Sequence, residues 1–172
     1  EEIGSEKKEL VSRTEFDKLG RVRKEIYPSG YYVVNKYDKN GFLTGITDKD
    51  NTSIWKATES NARGQLTGTE QGNFTTTFAY DKKGFPTSMS SSANVGMSYV
   101  FSDAGNLTSR SDSRIGQTES FTYDAMNRLK TWIVKKGSAT LKSNSINYDA
   151  TTSNISNKTD VATTMNYGES NA

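Results

Sequence analysis

The chain has 172 residues, of which 32% are hydrophobic and 10% aromatic, and its 22 basic and 20 acidic residues give a formal net charge of +2. So few apolar residues exclude a globule with a thick core, whereas the aromatic content and the near-neutral charge exclude a disordered chain. The scattered Lys and Arg residues form no basic stripe for a nucleic-acid backbone, and no apolar run approaches the roughly 18 residues of a membrane span.

Residues 1–15 are predicted to be the partial leading strand of a preceding repeat, because a recurring pattern begins only at Phe16. We call each copy of this pattern a key: an aromatic residue, usually Asp, two variable residues, Gly or Asn, one variable residue and an aliphatic residue. Residues 16–172 are predicted to hold about seven such repeats, truncated at the C-terminus where Tyr167 begins an eighth. The keys are Phe16–Val22 (with Asp17 and Gly20), Tyr37–Leu43 (with Asp38 and Gly41), the degenerate Ser60–Leu66 (with Gly64, and with Ser60 in place of the aromatic), Tyr80–Pro86 (with Asp81 and Gly84), Phe101–Leu107 (with Gly105), Tyr123–Leu129 (with Asp124 and Asn127) and Tyr148–Ile155 (with Asp149).

The key predicts a β-hairpin turn. Asp is favoured at the first position of a type I turn, where its side chain accepts backbone N–H hydrogen bonds, and Gly at the fourth position tolerates a positive φ. Asn127 fits the same position, since Asn enters the left-handed region more readily than other non-glycine residues. The key aromatic is expected to pack on the sheet. Pro86 replaces the key aliphatic and cannot donate to a strand ladder, which predicts an edge, a bulge or a bend there.

Each interval between keys holds a second cluster of turn residues, so each repeat of about 21 residues is predicted to be strand, turn, strand, turn. Alternation of apolar and polar residues supports this prediction, as in Phe74, Thr76, Phe78 and Tyr80, and nothing in the pattern favours a helix. The predicted fold class is therefore all-β, with tandem β-hairpins in an antiparallel ribbon. The second clusters are Pro28-Ser29-Gly30, Asp48–Asn51, Gln71-Gly72-Asn73, Ala93–Gly96, Arg114-Ile115-Gly116 and Lys135–Ser138.

The keys, the turn-rich intervals and the stretch Asn61–Thr67 followed by Gly72-Asn73 resemble the Rhs/YD-repeat family from about Phe16 to the end of the chain. The resemblance implies that the ribbon curves into part of a spiral, hollow shell, as in bacterial Rhs polymorphic toxins, Tc toxin shell subunits and teneurins. In the bacterial members the shell encloses a C-terminal toxin, which an aspartate-dependent self-cleavage at an Asp-Pro-x-Gly-type motif releases. No Asp in this chain precedes a Pro, so we expect a middle section that lacks this activity.

The chain is predicted to be a non-catalytic, structural section of a scaffold for toxin encapsulation, delivery or display. It has no His and no Cys, which removes the commonest general base, the thiol nucleophile and most transition-metal ligands. Turn capping accounts for the key Asp residues, so no catalytic residue, metal site or cofactor is predicted. The resemblance implies that the partners are the remaining repeats and the C-terminal segment of the parent protein, with an enclosed toxin, in a secreted or cell-surface bacterial protein. Exposed strand edges predict self-association as well.

An extracellular carbohydrate-binding or adhesion module is the alternative function, because aromatic faces stack on sugars. The candidate residues for binding a surface glycan are Trp55, Trp132, Tyr31 and Tyr32. Counting along regular strands places both Trp residues on the sheet face opposite the key tyrosines. The other interpretation is that both Trp side chains pack under neighbouring turns, since large aromatic residues are usually partly buried.

Overall fold

The computed structural model describes residues 2–3, 6–7, 9–165 and 167, and every regular element in this part of the chain is a β-strand. Among these residues there is no helix that could cross a membrane. The strands are β1 (Glu2–Ile3), β2 (Glu6–Lys7), β3 (Arg13–Phe16), β4 (Val22–Ile26), β5 (Tyr32–Tyr37), β6 (Leu43–Asp48), β7 (Ser53–Ser60), β8 (Leu66–Gln71), β9 (Phe74–Tyr80), β10 (Pro86–Ser91), β11 (Val95–Phe101), β12 (Leu107–Asp112), β13 (Gln117–Tyr123), β14 (Leu129–Lys136), β15 (Ala139–Tyr148) and β16 (Ile155–Lys158).

The chain divides into two compact units, and the boundary between Thr77 and Phe78 falls inside β9. In the first unit β1 pairs with β2, and each strand from β3 to β8 pairs antiparallel with the strand that follows it. In the second unit the strands from β10 to β16 pair in the same way. The prediction of an all-β fold made of successive antiparallel hairpins is confirmed.

Every key forms the turn between an odd-numbered strand and the even-numbered strand that follows it, as Tyr37–Leu43 does between β5 and β6. The second turn clusters join each even-numbered strand to the next odd-numbered one. Because neighbouring strands are antiparallel, all the key turns of one unit lie on the same side of its sheet, where the strands end. We call this row of strand ends the key edge, as distinct from an edge strand. Pro86 is the first residue of β10, a position at which proline costs no ladder hydrogen bond.

Burial in this fold is slight. Among the described hydrophobic side chains, only Val134, with 8% of its surface exposed, and Ile146, with 9%, are buried, and no side chain is fully enclosed. Such burial is typical of thin sheets, in which neighbours on adjacent strands half-cover each side chain. It agrees with the low apolar content of the sequence.

The pairing register shifts by one residue beside the key aromatics, as between Lys36 and Tyr37 in the first unit and between Thr122 and Tyr123 in the second. Such a bulge adds one residue to one strand and reverses the alternation of side chains beyond it. A residue therefore cannot be assigned to a sheet face by counting along the chain through a key.

The bulges correct the predicted orientation of both tryptophans. Trp132 pairs directly with Phe121, which lies two residues before Tyr123 on β13. Through Ile46, Trp55 is connected by direct pairing to Asn35, which lies two residues before Tyr37 on β5. Directly paired residues share a face, so both tryptophans lie on the face of the key tyrosines, and the predicted opposite face was wrong.

Candidate functional site

The key turn is held by the side chain that follows the key aromatic. In the first key, Oδ1 of Asp17 accepts hydrogen bonds from the backbone N–H groups of Leu19 (2.8 Å) and Arg21 (3.0 Å). The N–H of Gly20 donates to the carbonyl of Asp17 over 3.0 Å, and the N–H of Asp17 donates to the carbonyl of Arg21 over 2.8 Å. Gly20 has a φ of +76°, so the loop is a turn closed by a left-handed residue, which forms a bulge.

The same pair of backbone N–H groups is capped at four further keys. The capping residues are Asp38, Asn61, Asp81 and Asp124. The fifth key uses the hydroxyl of Ser102, which accepts from the N–H of Asn106 over 3.2 Å. The seventh key is one residue longer, and there Asp149 caps the N–H groups of Thr151 and Thr152.

These donors stabilise the ionised carboxylates. The backbone N–H of Arg21 is the main cause that lowers the pKa of Asp17 below its ordinary value, and the guanidinium of the same residue adds to it. The backbone N–H of Arg128 and its guanidinium lower the pKa of Asp124 in the same order. In both keys the arginine Nε lies close to the second carboxylate oxygen, at 2.6 Å from Asp17 and 2.7 Å from Asp124.

The residue directly after the Gly or Asn of a key lies against the next key of the same unit, and we call it the cover residue. Two cover residues are arginines. The guanidinium carbon of Arg21 lies 4.3 Å from the ring centroid of Tyr37, and that of Arg128 lies 4.1 Å from the ring centroid of Tyr148. These distances are typical of cation–π contacts. The capping aspartate of the same key holds each guanidinium. It therefore also positions the arginine that lies over the tyrosine of the next key.

Other cover residues are phenylalanines. Phe85 stacks on Phe101 with ring centroids 5.0 Å apart. Its Cζ lies 3.1 Å from the position that a Cβ would take at Gly105, where φ is +83°. Phe42 approaches the turn of the third key, and its Cζ lies 3.5 Å from the Cβ position at Gly64. Glycine at these turns therefore adopts the positive φ without strain and also leaves room for the cover residue.

The key tyrosines connect neighbouring repeats by a second contact. In three keys the tyrosine hydroxyl donates a hydrogen bond to the backbone carbonyl of the key aliphatic in the preceding key. These bonds run from Tyr37 to Val22 over 2.8 Å, from Tyr123 to Leu107 over 2.8 Å and from Tyr148 to Leu129 over 2.9 Å.

The third key departs from this arrangement, because Ser60 stands in the position of the key aromatic. A groove of about 930 Å³ lies between the second and third keys, within the first unit. Phe42, Leu43, Trp55 and Ser60 contribute to its lining. Of the four aromatic residues predicted to bind sugar, Trp55 alone contributes to this groove.

Trp132 is engaged by other side chains. Its Nε1 donates to the carboxylate of Glu119 over 3.3 Å, and Nζ of Lys142 lies 5.1 Å from the ring centroid. Glu119 also pairs with Arg110 on β12, whose guanidinium holds the pKa of the Glu119 carboxyl below its ordinary value. In the second unit, the indole therefore belongs to a network of charged side chains.

The two tyrosines of the predicted sugar site have other neighbours. Tyr31 is 40% exposed and stacks beside Tyr27 across the intervening turn, at 6.2 Å between ring centroids. The ring of Tyr32 has Nζ of Lys24 at 3.8 Å. Tyr32 lies three residues from Asn35 on a regular strand and so faces away from Trp55. The first unit does not gather these aromatics on one platform. Across the described residues, no three acidic side chains lie together as metal ligands would.

No single residue type marks the cover position in the sequence, because Arg, Phe, Gln and Asn all occupy it. The first and sixth keys carry a usable signal, since an arginine four residues after an aspartate can return to it across the turn. Asp17 with Arg21 and Asp124 with Arg128 form that ion pair. The sequence shows the missing aromatic at Ser60, but the groove beside it depends on how the second and third keys pack.

Comparison with known proteins finds one family model and several solved structures that are similar to this chain. A family model described as RHS Repeat matches residues 101–136, which hold the fifth and sixth keys. A crystal structure of TcdB2-TccC3-Cdc42 superposes with a TM-score of 0.59 at 14% identity, and one of TcdB2-TccC3 with 0.54 at 16%, each over 86% of this chain and 10% of the other. A mutant Tc holotoxin pore from Photorhabdus luminescens gives 0.53 at 16% identity, over 85% of this chain and 10% of that chain.

At such identities the likeness is one of fold. The chain spans about a tenth of the length of each of these structures. The search among curated protein sequences found no match.

Proposed function

We propose that the chain belongs to the Rhs/YD-repeat family and forms a non-catalytic section of a shell or surface scaffold for toxin encapsulation, delivery or display. The observation that carries this proposal is the contact between neighbouring keys. Within each unit, neighbouring keys are joined by a cover residue, a tyrosine hydroxyl or both. A chain held together by nearest-neighbour contacts can extend by adding repeats, which suits a wall better than a compact enzyme.

The slight burial of the strand residues also supports a section of a shell or surface scaffold. Strand residues are mostly half-buried or exposed, so little of the chain is hidden in a core. The caps and the left-handed residues of the keys are engaged in the turns, and Tyr37, Tyr123 and Tyr148 are engaged in contacts with the preceding key. This leaves few polar groups for chemistry along the key edge.

The partners proposed for this section are the other repeats of its parent protein, the polypeptide that follows them and an enclosed toxin. The similar structures carry the names of Tc toxin components, and one is described as a holotoxin pore. Their naming as toxins supports a bacterial protein that acts outside the cell or at its surface. We also propose the division into a leading strand up to residue 15 and about seven repeats from residue 16 to residue 172.

Limited proteolysis of the full-length protein that carries this section tests encapsulation. We expect the enclosed polypeptide to resist protease in the native protein and to be cleaved in the Gly105→Val variant, because a side chain there would meet Phe85 and disturb the wall. Lys39→Ala, at an exposed turn position, is the matched control and should keep the protection. Equal digestion of that polypeptide in all three proteins, or its absence, would contradict the proposal.

Carbohydrate binding is the second proposal, and the groove that the half-buried Trp55 lines favours it. Glycan binding by the chain should then fall strongly in the Trp55→Ala variant. Trp132→Ala serves as the comparison, because that indole is held by Glu119 and Lys142. A glycan screen with no ligand for the chain, or with binding that both variants retain, would remove carbohydrate binding from consideration.

A further inference from the structure

We propose that the groove between the second and third keys binds a phenol ring, in the position that a key aromatic of the chain itself fills in other repeats. The inference goes beyond the scaffold role, since it assigns a ligand site to one repeat that differs from its neighbours. Four observations on the first unit carry it: the register of Ser60, the exposure of Phe42, the carbonyl of Leu43, to which no described side chain donates, and the groove itself.

Ser60 occupies the backbone position of a key aromatic. It pairs with Leu66 across its own key, as Tyr37 pairs with Leu43. The backbone of the third key has the same hydrogen-bonded turn as the other keys, with Asn61 as its cap. The third key therefore lacks the aromatic ring but keeps the strand pairing and the turn hydrogen bonds of the other keys.

The cover residue that precedes this position has no ring to cover. Phe42 is 58% exposed, whereas the corresponding Arg21, Phe85 and Arg128 are half-buried. Phe85 shows what the missing contact would be, because it stacks on the ring of Phe101 at 5.0 Å. An aromatic ring bound over Phe42 would gain the same stacking contact, and aromatic pairs add stability beyond the area that they bury.

The carbonyl of Leu43 supplies a polar contact that selects a phenol. Its counterparts at Val22, Leu107 and Leu129 each accept a hydrogen bond from the next key tyrosine. Among the described residues, no side chain donates to the carbonyl of Leu43, since Ser60 replaces that tyrosine. A hydroxyl on the bound ring would take the place of the tyrosine hydroxyl, as a directed hydrogen bond adds specificity to an apolar site.

The groove has room for such a ring and the right lining. Its volume of about 930 Å³ lies in the range of small-molecule sites, and Phe42, Leu43, Trp55 and Ser60 all contribute to it. The occupant to which these residues point is a phenol, either free or as a tyrosine side chain presented by a peptide. Both sources share the ring and the hydroxyl, and their sizes distinguish them.

Titration of the full chain with p-cresol tests the site, with the fluorescence of Trp55 as the readout in a Trp132→Phe background. We expect saturable binding that Ser60→Tyr weakens by about ten-fold or more, since the new side chain fills the ring position. Thr140→Tyr is the matched control, because it adds the same side chain at an exposed position of β15, outside the groove, and should bind as the unsubstituted chain does. Ser60→Tyr should also raise the urea midpoint, because it restores the contacts of an ordinary key.

The Phe42→Ala variant gives a second measurement if Ser60→Tyr does not fold, as judged by circular dichroism. It removes the stacking partner and should also weaken binding. p-Methylanisole, which lacks the hydroxyl donor, should bind about five-fold more weakly than p-cresol. Tighter binding of a tyrosine-containing tripeptide than of p-cresol would assign the site to a peptide, and the reverse order to a free phenol.

Three results would overturn the proposal. The first is no saturable effect of p-cresol on Trp55 fluorescence. The second is equal binding by the Ser60→Tyr and Thr140→Tyr variants. The third is displacement of p-cresol by an oligosaccharide that binds more tightly, which would assign the groove to carbohydrate.

Discussion

The carboxylate of a key aspartate accepts two backbone N–H groups through one oxygen and, in two keys, an arginine through the other. Asn61 caps the third key with the same two backbone bonds and no charge. The cap itself therefore does not require ionisation. What ionisation adds is the attraction between the carboxylate and the donors around it, which the lowered pKa of Asp17 and Asp124 records.

These lowered pKa values predict acid sensitivity. A carboxyl whose pKa is lower in the folded chain than in the unfolded chain stabilises the fold above the unfolded value, and this stability is lost as the pH falls through the folded value. We therefore expect the free energy of unfolding to decline as the pH drops below about 3.9. The double variant Asp17→Asn and Asp124→Asn should decline less, as measured by urea unfolding from neutral to acidic pH. An identical decline in both proteins would contradict this account.

A second prediction at this scale concerns the left-handed residue. Gly41 has a φ of +92°, which a β-branched side chain adopts only with strain. Gly41→Val should cost about 1–2 kcal/mol, whereas Lys39→Ala in the same turn should change stability by less than about 0.5 kcal/mol. Urea midpoints followed through Trp55 measure both. Equal midpoints for the two variants would contradict the left-handed conformation assigned to Gly41 in this turn.

At the scale of the element, one hairpin is attached to the next by the tyrosine hydroxyl and the cover residue. Tyr123→Phe removes only the hydrogen bond to the carbonyl of Leu107 and should cost about 1 kcal/mol. Tyr99→Phe is the matched control, because among the described residues the Tyr99 hydroxyl has no hydrogen-bond partner. Urea unfolding of both variants decides the matter, and an equal loss in the two would show that this bond contributes nothing.

The hairpins could be predicted from sequence because the key is local. Asp and Gly three residues apart specify a turn through bonds that never leave the loop, as at Asp17 and Gly20. The contact between Arg21 and Tyr37 could not be predicted from the sequence. It depends on the pairing of β4 with β5 and on how far each key turn extends along the strand direction. The faces of Trp55 and Trp132 were mistaken for a related reason, because bulges that close the keys shift the alternation and leave no mark in the sequence.

At the scale of the whole molecule, stability is distributed along the key edge of each unit and is not concentrated in a core. The buried hydrophobic side chains are too few to hold distant parts of the chain together. Damage to one key should therefore weaken its neighbours first. This is the behaviour expected of repeat proteins, whose stability is a sum over repeats and the interfaces between them.

The first key presents an incomplete version of that interface. All four residues of β3 are exposed, and among the described strands only β4 pairs with it. Phe16 is 60% exposed and, among the described residues, lacks the cover that Arg21 gives to Tyr37. The backbone edge and the uncovered ring lie side by side. Together they can accept a strand with its cover residue from a second copy of the chain.

We therefore expect the isolated chain to self-associate through the edge of β3, as unpaired strand edges tend to do. Sedimentation should show a mass that rises with concentration. Thr14→Lys places a charge on that edge and should shift the equilibrium towards monomer, because edge lysines oppose strand pairing. Thr140→Lys adds the same charge to an exposed position of β15 and should leave association unchanged. A strict monomer over a wide concentration range, or an equal effect of both variants, would show that the β3 edge is not an interaction surface.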